Sequence, residues 1–264
     1  MGIYVCSDIH GMYDLYLRML ETVQFGHNDH LYILGDMIDR GPDGVKILLD
    51  VVQRDNVTCL IGNHEHMMWH YLNRHGDSIG DAWMLPGNGG SRTLTPYSML
   101  LSEERRLIRS FLDKLYLQVE LSVGGKRFLL SHSSFLPDHG TLRWQDPRIR
   151  DEEVLDVVWS SPWRAGEYID PSEYRKDGRH HIIGHVPVLL IPAEEWPGGE
   201  KPAVPQFFDD KENRIANIDL GCALIPGVRD GIYADEEGFN AASLCVLDLE
   251  RYADGDPGPA TYLR

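Results

Sequence analysis

The N-terminal part of the chain alternates between short apolar runs and helical patterns, and this alternation restricts the fold more than any other feature. Apolar, β-branched runs occupy Ile3–Cys6, Leu31–Leu34 and Val57–Ile61. Between them, Tyr13–Val23 and Gly44–Gln53 place apolar residues at steps of three and four. This β-α-β-α-β order predicts a parallel sheet with right-handed crossovers, and hence an α/β fold.

The chain then contains two more helical patterns before it becomes rich in strands. Helices are expected at His64–Arg74 and Ser102–Lys114. Tyr116–Val123 and Arg127–Ser131 flank Gly124-Gly125, which is typical of a hairpin. We therefore predict a second sheet packed on the first. Further strand-like runs follow in the second half of the chain at His181–Ile183, Ala203–Phe208, Arg214–Ile218 and Ser243–Leu249.

The length of 264 residues and the apolar content of 42% indicate a globular protein with a core of its own. The apolar runs are too short to cross a bilayer, which takes about 20 residues. We predict a single domain over residues 1–253. The Gly- and Pro-rich residues 254–264 are expected to form a flexible C-terminal tail.

The cysteines and the first residues bear on the compartment. The cysteines lie far apart without a C-x-x-C pair, so buried thiols are expected rather than disulfides. The first residues lack both the basic segment and the long apolar segment of a signal peptide. A cytoplasmic protein is therefore predicted. The cysteines are Cys6, Cys59, Cys222 and Cys245.

The chain is strongly acidic, with a formal net charge of −16. A field of this sign argues against a nucleic-acid partner, because the phosphate backbone is itself anionic. It does not exclude a phosphorylated substrate, since bound metal ions and a few arginines can reverse the field locally. No membrane partner is expected.

Each of the first three predicted strands runs into a glycine-bearing turn with carboxylate, amide or imidazole groups. These turns are residues 7–11, 35–42 and 62–65. A single one has a structural explanation, such as capping of the following helix by Asp8. Three in succession favour a binding site, because ligands of open α/β sheets bind at the carboxyl ends of the strands. The side chains expected to converge are Asp8, His10, Asp36, Asn63 and His64.

These residue types fit a site for two divalent metal ions. Two cations a few ångströms apart need one bridging carboxylate together with terminal oxygen and nitrogen ligands. Asp36 is the expected bridge. Asp8 and His10 would complete one metal site, and Asn63 would belong to the other.

Two later histidines offer the nitrogen ligands that the second metal still needs. His132 follows the run Phe128–Ser131, and His185 follows Ile182–Gly184. A mixed set of carboxylate, amide and imidazole ligands suits Mn, Fe or Zn rather than Ca. We expect Mn²⁺, with Fe and Zn as alternatives. The predicted metal ligands are Asp8, His10, Asp36, Asn63, His132 and His185.

The motifs can now be compared with known families. They are Asp8-Ile9-His10-Gly11, Gly35-Asp36-x-x-Asp39-Arg40-Gly41, Gly62-Asn63-His64-Glu65, His132 and Gly184-His185, with Asn88-Gly89-Gly90 and Ile218-Asp219-x-Gly221 as supporting segments. In this order they resemble the phosphoprotein-phosphatase branch of the calcineurin-like metallophosphoesterases, in particular small bacterial and phage serine/threonine phosphatases. The resemblance covers residues 3–250. It implies a fold of two packed mixed β-sheets flanked by helices.

The resemblance also implies a mechanism. A hydroxide activated by the two metal ions attacks phosphorus in line. Arg40 offers a planar fork to the phosphate, while His64 is the general acid for the leaving group and Asp39 orients it. The implied catalytic residues are His64, Asp39 and Arg40. The implied phosphate-binding residues are Arg40, Asn63, His64 and Arg164.

The second phosphate-binding arginine departs from the family pattern. Bacterial relatives often carry it two residues after a tryptophan, but here Ser161 stands at that distance from Trp159. Arg164 is the nearest candidate, and Arg143 and Arg148 are alternatives.

Three residues bear on the branch of the family and on the substrate. Pro187 stands where phosphodiesterase members carry the last histidine of Gly-His-x-His. Asp39 and Glu65 differ from the diadenosine tetraphosphate hydrolases, which usually lack that Asp and end the third motif in Asp. We predict a metal-dependent phosphomonoesterase, a serine/threonine or dual-specificity phosphatase acting on a phosphorylated protein or peptide. The alternatives are a hydrolase of diadenosine tetraphosphate, another nucleotide or a small phosphate ester, and a catalytically silent metal-binding scaffold.

Five aromatic residues lie between the two late metal histidines. Core packing is the default expectation for them, and a wall of the substrate cleft is the alternative. They are Trp144, Trp159, Trp163, Tyr168 and Tyr174.

Overall fold

Two mixed β-sheets flanked by helices form the architecture of the computed structural model, as predicted. The structure describes residues 1–164, 166–202, 204, 206–229 and 241–264. Its strands are β1 (Ile3–Cys6), β2 (His30–Ile33), β3 (Val57–Cys59), β4 (Tyr116–Val123), β5 (Lys126–Ser131), β6 (Leu142–Arg143), β7 (His180–Ile183), β8 (Phe208–Asp210), β9 (Ile215–Asn217), β10 (Leu244–Asp248) and β11 (Ala260–Leu263). Its α-helices are α1 (Tyr13–Thr22), α2 (Gly44–Val51), α3 (Asn63–Asn73), α4 (Ser78–Trp83), α5 (Gly90–Met99), α6 (Ser102–Leu112), α7 (Asp151–Trp159), α8 (Pro171–Asp177), α9 (Ile225–Arg229) and α10 (Leu249–Asp254).

The first sheet has the strand order β11-β10-β1-β2-β3. Strands β1, β2 and β3 are parallel, with Ile3 paired to His30 and Leu31 to Val57. Helices α1 and α2 lie between these strands in the chain, so the predicted β-α-β-α-β unit is confirmed. Each of the three strands begins within one residue of its predicted start.

The second sheet has the strand order β6-β4-β5-β7-β9-β8. Strands β5, β7 and β9 are parallel, and β4 and β5 form the predicted antiparallel hairpin. Gly124 and Gly125 at its turn have φ of 55° and 73°. A two-residue turn with positive φ at both positions favours glycine, which explains why the sequence pattern was informative.

The strand predicted at Ala203–Phe208 is wrong in position. The strand starts at Phe208 and runs to Asp210. Residues 203 and 205 lie outside the described part of the chain. Pro202 and Pro205 account for the difference, because proline has no N–H to donate to a sheet.

The inner faces of the two sheets share one hydrophobic core. Val5 and Leu247 of the first sheet belong to the same buried cluster as Leu130 and Ile182 of the second. All four side chains are fully buried. Each contributes about 1.5–3 kcal/mol relative to an exposed position. This core holds the sheets face to face, so that the loops at their ends meet.

Helices cover the outer face of the first sheet. Leu15 and Met19 of α1 and Ile47 and Leu48 of α2 cluster with Ile33 of β2. The four cysteines are buried, as predicted.

The C-terminal residues do not form the predicted flexible tail. Residues 260–263 form β11, which pairs antiparallel with β10, and Leu263 is only 4% exposed. The preceding Gly255 ends α10 with φ of 81°, so this glycine marks a turn rather than a disordered segment. The sequence Ala-Thr-Tyr-Leu then offers β-favouring side chains to the open edge of β10.

Several helices were not predicted, and the most important for the site are α4 and α5. Helix α4 has only six residues, which is too short for a clear apolar period. Helix α5 contains Pro96 and follows Gly89 at φ of 75°, so its sequence looks like a loop. None of the described helices is both long and apolar enough to span a membrane.

Candidate active site

Each sheet brings three parallel strands to the site, and the residues that follow these strands are polar. The side chains are buried, except that His185 is partly exposed. In strand order they are Asp8 and His10 after β1, Asp36 after β2, Asn63 and His64 after β3, His132 after β5, His185 after β7 and Asp219 after β9.

The loops after β1 and β2 turn sharply, which allows their side chains to reach the same point. Asp8, His10 and Asp36 have φ of 54°, 45° and 51°. This left-handed conformation is uncommon outside glycine and costs of order 1–3 kcal/mol per residue. A Cβ at Gly184 would lie 2.2 Å from Oδ2 of Asp8, so only glycine fits in the loop that carries His185. The chain thus stores strain where the polar side chains converge.

Glu65 ties the third loop to the second. Its carboxylate accepts hydrogen bonds from the backbone N–H groups of Asp36 (2.8 Å), Met37 (2.8 Å) and Gly62 (3.0 Å). Burial raises the pKa of Glu65 to about 7, although these three donors oppose the rise. The position of Asp36 therefore depends on a side chain of the third motif.

Asp36 lies between two clusters of groups that can bind metal. Its Oδ2 is 3.5 Å from Nε2 of His10 and 3.8 Å from Nε2 of His64. Its Oδ1 is 3.6 Å from Nε2 of His132, and His185 completes that second cluster. Within each cluster, one ligand atom of every member lies within 4.8 Å of the others. This arrangement fits a carboxylate shared by two cations.

The first cluster differs in one member from the predicted ligand set. It contains His64 with His10 and Asp36, whereas Asp8 lies at its edge. Oδ1 of Asp8 is 3.9 Å from Nε2 of His10 and is buried without a hydrogen-bond partner. A buried polar atom without a partner is costly, and a cation beside it would remove that cost.

Backbone carbonyls orient two of the histidines. Nδ1 of His10 donates to the carbonyl of Ile38 (3.0 Å), and Nδ1 of His132 donates to that of Leu34 (2.9 Å). Burial lowers the pKa of both imidazoles, so each neutral ring turns an Nε2 lone pair toward the site. Histidine ligands in proteins usually have the second nitrogen held in this way.

The side-chain oxygen of Asn63 faces two imidazoles. It is 3.0 Å from Nε2 of His132 and 3.1 Å from Nδ1 of His185. His132 carries its proton on Nδ1, so its Nε2 has a lone pair that points at a lone pair of the Asn63 oxygen. A cation bound by both atoms would remove this repulsion. Burial and the charge of Asp8 also raise the pKa of Asp36, and a cation bound beside it would favour the ionised form. The donor set therefore fits a pair of metal ions.

His64 belongs to a buried hydrogen-bond network centred on Asp39. Nδ1 of His64 donates to Oδ2 of Asp39 (2.7 Å), while its Nε2 is buried without a hydrogen-bond partner. The same carboxylate accepts from Nε1 of Trp83 (2.6 Å) and Oγ1 of Thr93 (2.6 Å). Burial raises the pKa of Asp39 to about 7, and the bonds from Thr93 and Trp83 oppose this rise. The Nδ1 proton is thereby fixed, and Nε2 is the nitrogen that can exchange a proton.

Trp83 and Thr93 were not identified from the sequence. The other site residues were predicted because they follow β-strands. Trp83 and Thr93 lie on α4 and α5, so this criterion does not apply to them. The available signal was the segment Asn88-Gly89-Gly90 between these helices. A Cβ at Gly89 would lie 2.9 Å from the backbone nitrogen of Arg40, so this glycine lets α5 approach the second loop.

Two predicted arginines lie beside the two clusters. One guanidinium nitrogen of Arg40 donates to Nε2 of His10 (3.1 Å). One guanidinium nitrogen of Arg164 is 3.0 Å from Nε2 of His185. The Arg164 guanidinium also stacks on Trp159, with 4.7 Å between its central carbon and the ring centroid. Both arginines line the same cleft, which has a volume of about 760 Å³.

The alternative arginines lie elsewhere. Arg143 stacks on Tyr116, 4.3 Å from the ring centroid. Arg148 forms an ion pair with Asp146 at 2.8 Å. Neither belongs to the described lining of the cleft.

The five aromatic residues divide between the core and the cleft. Trp144 and Tyr174 are buried, which agrees with the expectation of core packing. Trp159 and Trp163 line the cleft. Tyr168 is 64% exposed and lines a neighbouring pocket together with Trp163. The interpretation as a cleft wall therefore applies to two tryptophans.

Asp219 is a further buried carboxylate that sequence analysis left outside the site. It follows β9 and is 3% exposed. Burial and the charge of Asp8 raise its pKa. Its backbone carbonyl accepts a hydrogen bond from the N–H of Val188 (2.8 Å), in the loop after His185. Its place at the end of a parallel strand was the signal that could have identified it.

Comparison with known proteins gives matches in both sequence and structure. A family model described as calcineurin-like phosphoesterase matches residues 1–210. A symmetrical bis(5'-nucleosyl)-tetraphosphatase from Acidovorax sp. (strain JS42) is 32% identical over 139 residues, which are 52% of this chain and 45% of that protein. Serine/threonine-protein phosphatase 1 from Salmonella typhimurium is 25% identical over 187 residues, 70% of this chain and 79% of that protein. The chain thus spans less than half the length of the first of these relatives.

A solved structure described as a putative diadenosine tetraphosphatase has a similar fold. It aligns with a TM-score of 0.53 and 14% identity over 100% of this chain and 94% of that chain. Identity this low shows likeness of fold alone. The family model, however, covers more than half of the chain and includes the loops after β1, β2, β3, β5 and β7. The chain therefore belongs to the calcineurin-like phosphoesterases, a family of metal-dependent hydrolases.

Proposed function

We propose that this protein is a phosphomonoesterase that removes phosphate from phosphoserine and phosphothreonine side chains of proteins. The observation that carries the proposal is the buried pair of His64 and Asp39, joined by a 2.7 Å hydrogen bond beside Asp36. Such a pair can protonate a leaving group from Nε2, because the carboxylate stabilises the charged imidazole.

The need for a general acid distinguishes the candidate substrates. Serine and threonine leave as alkoxides, which are strong bases and require a proton as the P–O bond breaks. Tyrosine leaves as a phenol with a pKa of about 10. A nucleoside polyphosphate leaves from a phosphate with a second pKa of about 6 and needs little help. The pair of His64 and Asp39 is therefore of most use with phosphoserine and phosphothreonine.

Other side chains of the site suit the binding of a phosphoryl group. Arg40 and Arg164 can each present parallel N–H donors to phosphate oxygens. Asn63 and His64 complete the proposed phosphate-binding set. Water is the proposed nucleophile, so no side chain needs to be phosphorylated.

Two divalent ions are the proposed cofactors, with Mn²⁺ first and Fe or Zn as alternatives. Such ions supply charge neutralisation and water activation when bound. Carboxylate and amide oxygens mixed with imidazole nitrogens suit these metals, whereas Ca²⁺ takes oxygen ligands alone. The residues proposed to hold the ions are Asp8, His10, Asp36, Asn63, His132 and His185.

Hydrolysis of diadenosine tetraphosphate is a second candidate. It is favoured by the names of relatives such as those from Acidovorax and Paracidovorax, which are 32% and 29% identical. Those matches cover 45% of the relatives' length, whereas the match to the Salmonella phosphatase covers 79% of that protein. A leaving nucleotide would also make little use of the buried acid.

The test compares three substrates at matched concentrations with purified protein and Mn²⁺. They are a phosphoserine peptide, the same peptide with phosphotyrosine, and diadenosine tetraphosphate. We expect kcat/KM for the phosphoserine peptide to exceed that for the dinucleotide by at least about tenfold, because the buried acid accelerates the departure of an alkoxide and adds little for a nucleotide. A higher value for the dinucleotide would overturn the proposal. Turnover of none of the three would favour the scaffold.

A further inference from the structure

The cleft is much larger than the phosphoryl group that it is proposed to bind. Its volume is about 760 Å³. Cavities of about 300–1,000 Å³ enclose ligands of drug size, whereas a phosphoryl group has only four heavy atoms. Parts of the substrate beyond the phosphate therefore lie within the same walls.

The lining of this cleft reverses the charge of the chain. The net charge of the whole chain is −16. Among the described lining residues, however, the charged ones are Arg40, Arg92, Arg164 and Asp36. Asp36 is assigned to the metal ions, so its charge is already compensated there. The cleft thus presents three guanidinium groups to a substrate, of which that of Arg164 also forms an ion pair with Glu167.

Arg92 differs from the other two arginines. Arg40 and Arg164 lie at hydrogen-bond distance from the imidazoles of the metal clusters. The Arg92 side chain is exposed and has no hydrogen bond or ion pair within the described part of the chain. Its backbone N–H donates to the carbonyl of Gly89 (3.0 Å), and Gly89 packs against the backbone of Arg40. Arg92 therefore lies one helical turn from Gly89, which contacts the loop that carries Arg40. Its guanidinium group is free to bind a substrate group as far as the described residues are concerned.

Arg92 also lines a neighbouring cavity of about 440 Å³, so it stands on the wall that the two cavities share. This second cavity contains Arg18 as well, together with the acids Asp14 and Asp43. Asp43 forms an ion pair with Lys46 at 2.8 Å, which compensates its charge. The balance of charge at the shared wall is therefore positive.

We propose that Arg92 and the neighbouring cavity form a second subsite, which binds a carboxylate side chain close to the phosphorylated residue of a protein substrate. The subsite rests on the proposed phosphatase function and narrows its substrates to acidic phosphopeptides. An arginine can bind a carboxylate through two parallel N–H donors, and among the described residues no carboxylate forms an ion pair with Arg92.

The test uses two phosphoserine peptides of equal length. One carries Asp and Glu on both sides of the phosphoserine, and the other carries Asn and Gln at the same positions. We expect wild-type protein to prefer the acidic peptide by about fivefold in kcat/KM, a typical effect of one exposed charge pair. In Arg92→Gln this ratio should fall to about one. In Arg106→Gln, which removes an exposed arginine of α6 outside both cavities, the ratio should remain at about five.

The possible outcomes separate the subsite from the proposed function. Equal turnover of the two peptides by wild-type protein, or an undiminished preference in Arg92→Gln, would overturn the subsite and leave the phosphatase proposal intact. A loss in Arg92→Gln that appears with diadenosine tetraphosphate and not with the acidic peptide would assign Arg92 to a polyphosphate instead. Turnover of neither peptide by wild-type protein would overturn both proposals.

Discussion

The two sheets build the candidate site by the same rule, but the second sheet draws on a longer stretch of chain than the first. In each sheet, three parallel strands end in loops that carry site residues. The first sheet supplies residues between positions 8 and 64, whereas the second draws on residues between 132 and 219. The residues of the first half therefore span 57 positions of the chain, and those of the second half span 88.

The two halves also differ in backbone strain. In the first half, positive φ occurs at Asp8, His10, Asp36, Asp39 and Arg40. In the second half, among the described residues, His185 is the candidate ligand with this conformation, at φ of 72°. Strained loops persist only when the surrounding structure holds them, and Glu65 and α5 do so for the first half. Backbone strain at the candidate site is thus concentrated in the half that the first sheet supplies.

Asp36 belongs to both clusters, so a change at this residue should have the largest effect on the candidate site. Asp36→Asn keeps the shape of the side chain but removes the charge between the clusters. We expect loss of both metal ions and a fall in kcat/KM of at least about 10³-fold, or about 4 kcal/mol. Elemental analysis of the purified variant measures the first effect, and phosphate release measures the second.

His132→Asn is the matched variant for this experiment. It changes the second cluster and leaves His10 and His64 of the first cluster intact. One metal ion per chain should then remain. Two retained ions in Asp36→Asn would contradict its shared role.

His64→Asn gives the next largest effect and tests the first half alone. Removing the general acid should lower kcat by about 10²–10³-fold with a phosphoserine peptide. The loss should be smaller with aryl phosphates, whose leaving groups are less basic. Metal content should stay the same. Loss of metal would show that His64 is a ligand, as its place in the first cluster permits. An equal loss for all leaving groups would show that His64 is not the general acid.

Trp83→Phe and Thr93→Val weaken the hydrogen-bond network around Asp39, which belongs to the first half of the site. Each removes one hydrogen-bond donor to the Asp39 carboxylate and keeps an apolar side chain in its place, and Thr93→Val also removes the acceptor of the Asp39 backbone N–H (3.0 Å). Both changes should lower kcat about tenfold, because bonds to charged groups are worth about 1.5–3 kcal/mol. They should also raise the pKa of Asp39 above its value of about 7. Since the ionised carboxylate supports His64, the acid limb of the kcat–pH profile should move to higher pH.

Trp69→Phe is the control for the loss of an indole donor. Nε1 of Trp69 donates to Asp113, which lies outside the site. Neither kcat nor its pH profile should change in this variant. If the acid limb of the kcat–pH profile does not shift in Trp83→Phe, the hydrogen bond from Trp83 does not control the ionisation of Asp39.

Leu263→Ala concerns the outer edge of the first sheet and should leave turnover unchanged. Because Leu263 is buried in β11, we expect a loss of about 2–3 kcal/mol in the free energy of unfolding. Urea denaturation measures this change. Leu101→Ala, at a side chain that is 71% exposed, is the control. Equal stability of both variants would mean that the C-terminal residues behave as a flexible tail after all.

The sequence was informative where structure is local. The loops after β1, β2 and β3 follow strands that are recognisable from their own residues, so their polar side chains could be placed together. The partners of Asp39 could not be found in this way, because Trp83 and Thr93 lie 44 and 54 residues from it in the chain. Their hydrogen bonds depend on how α4 and α5 pack.

The second half of the site was predictable only in part. His132 and His185 were found because each follows a short apolar run, but Asp219 was not, although it occupies the equivalent position after β9. The C-terminal strand was missed because Gly and Pro dominated the composition of residues 254–264. What pairs with the open edge of β10 is decided by tertiary structure.

The hydrogen bond from His132 to the carbonyl of Leu34 has a consequence for how the protein melts. It fastens a residue of the second sheet to the end of β2, and the backbone N–H of His185 similarly donates to Asp8 (3.0 Å). Neither sheet can unfold without dismantling the proposed metal centre. Thermodynamic linkage then adds the binding free energy to the cooperativity of the whole chain, about 2.7 kcal/mol when free metal is 100 times its dissociation constant. We therefore expect the midpoint of thermal unfolding to rise with the concentration of free metal.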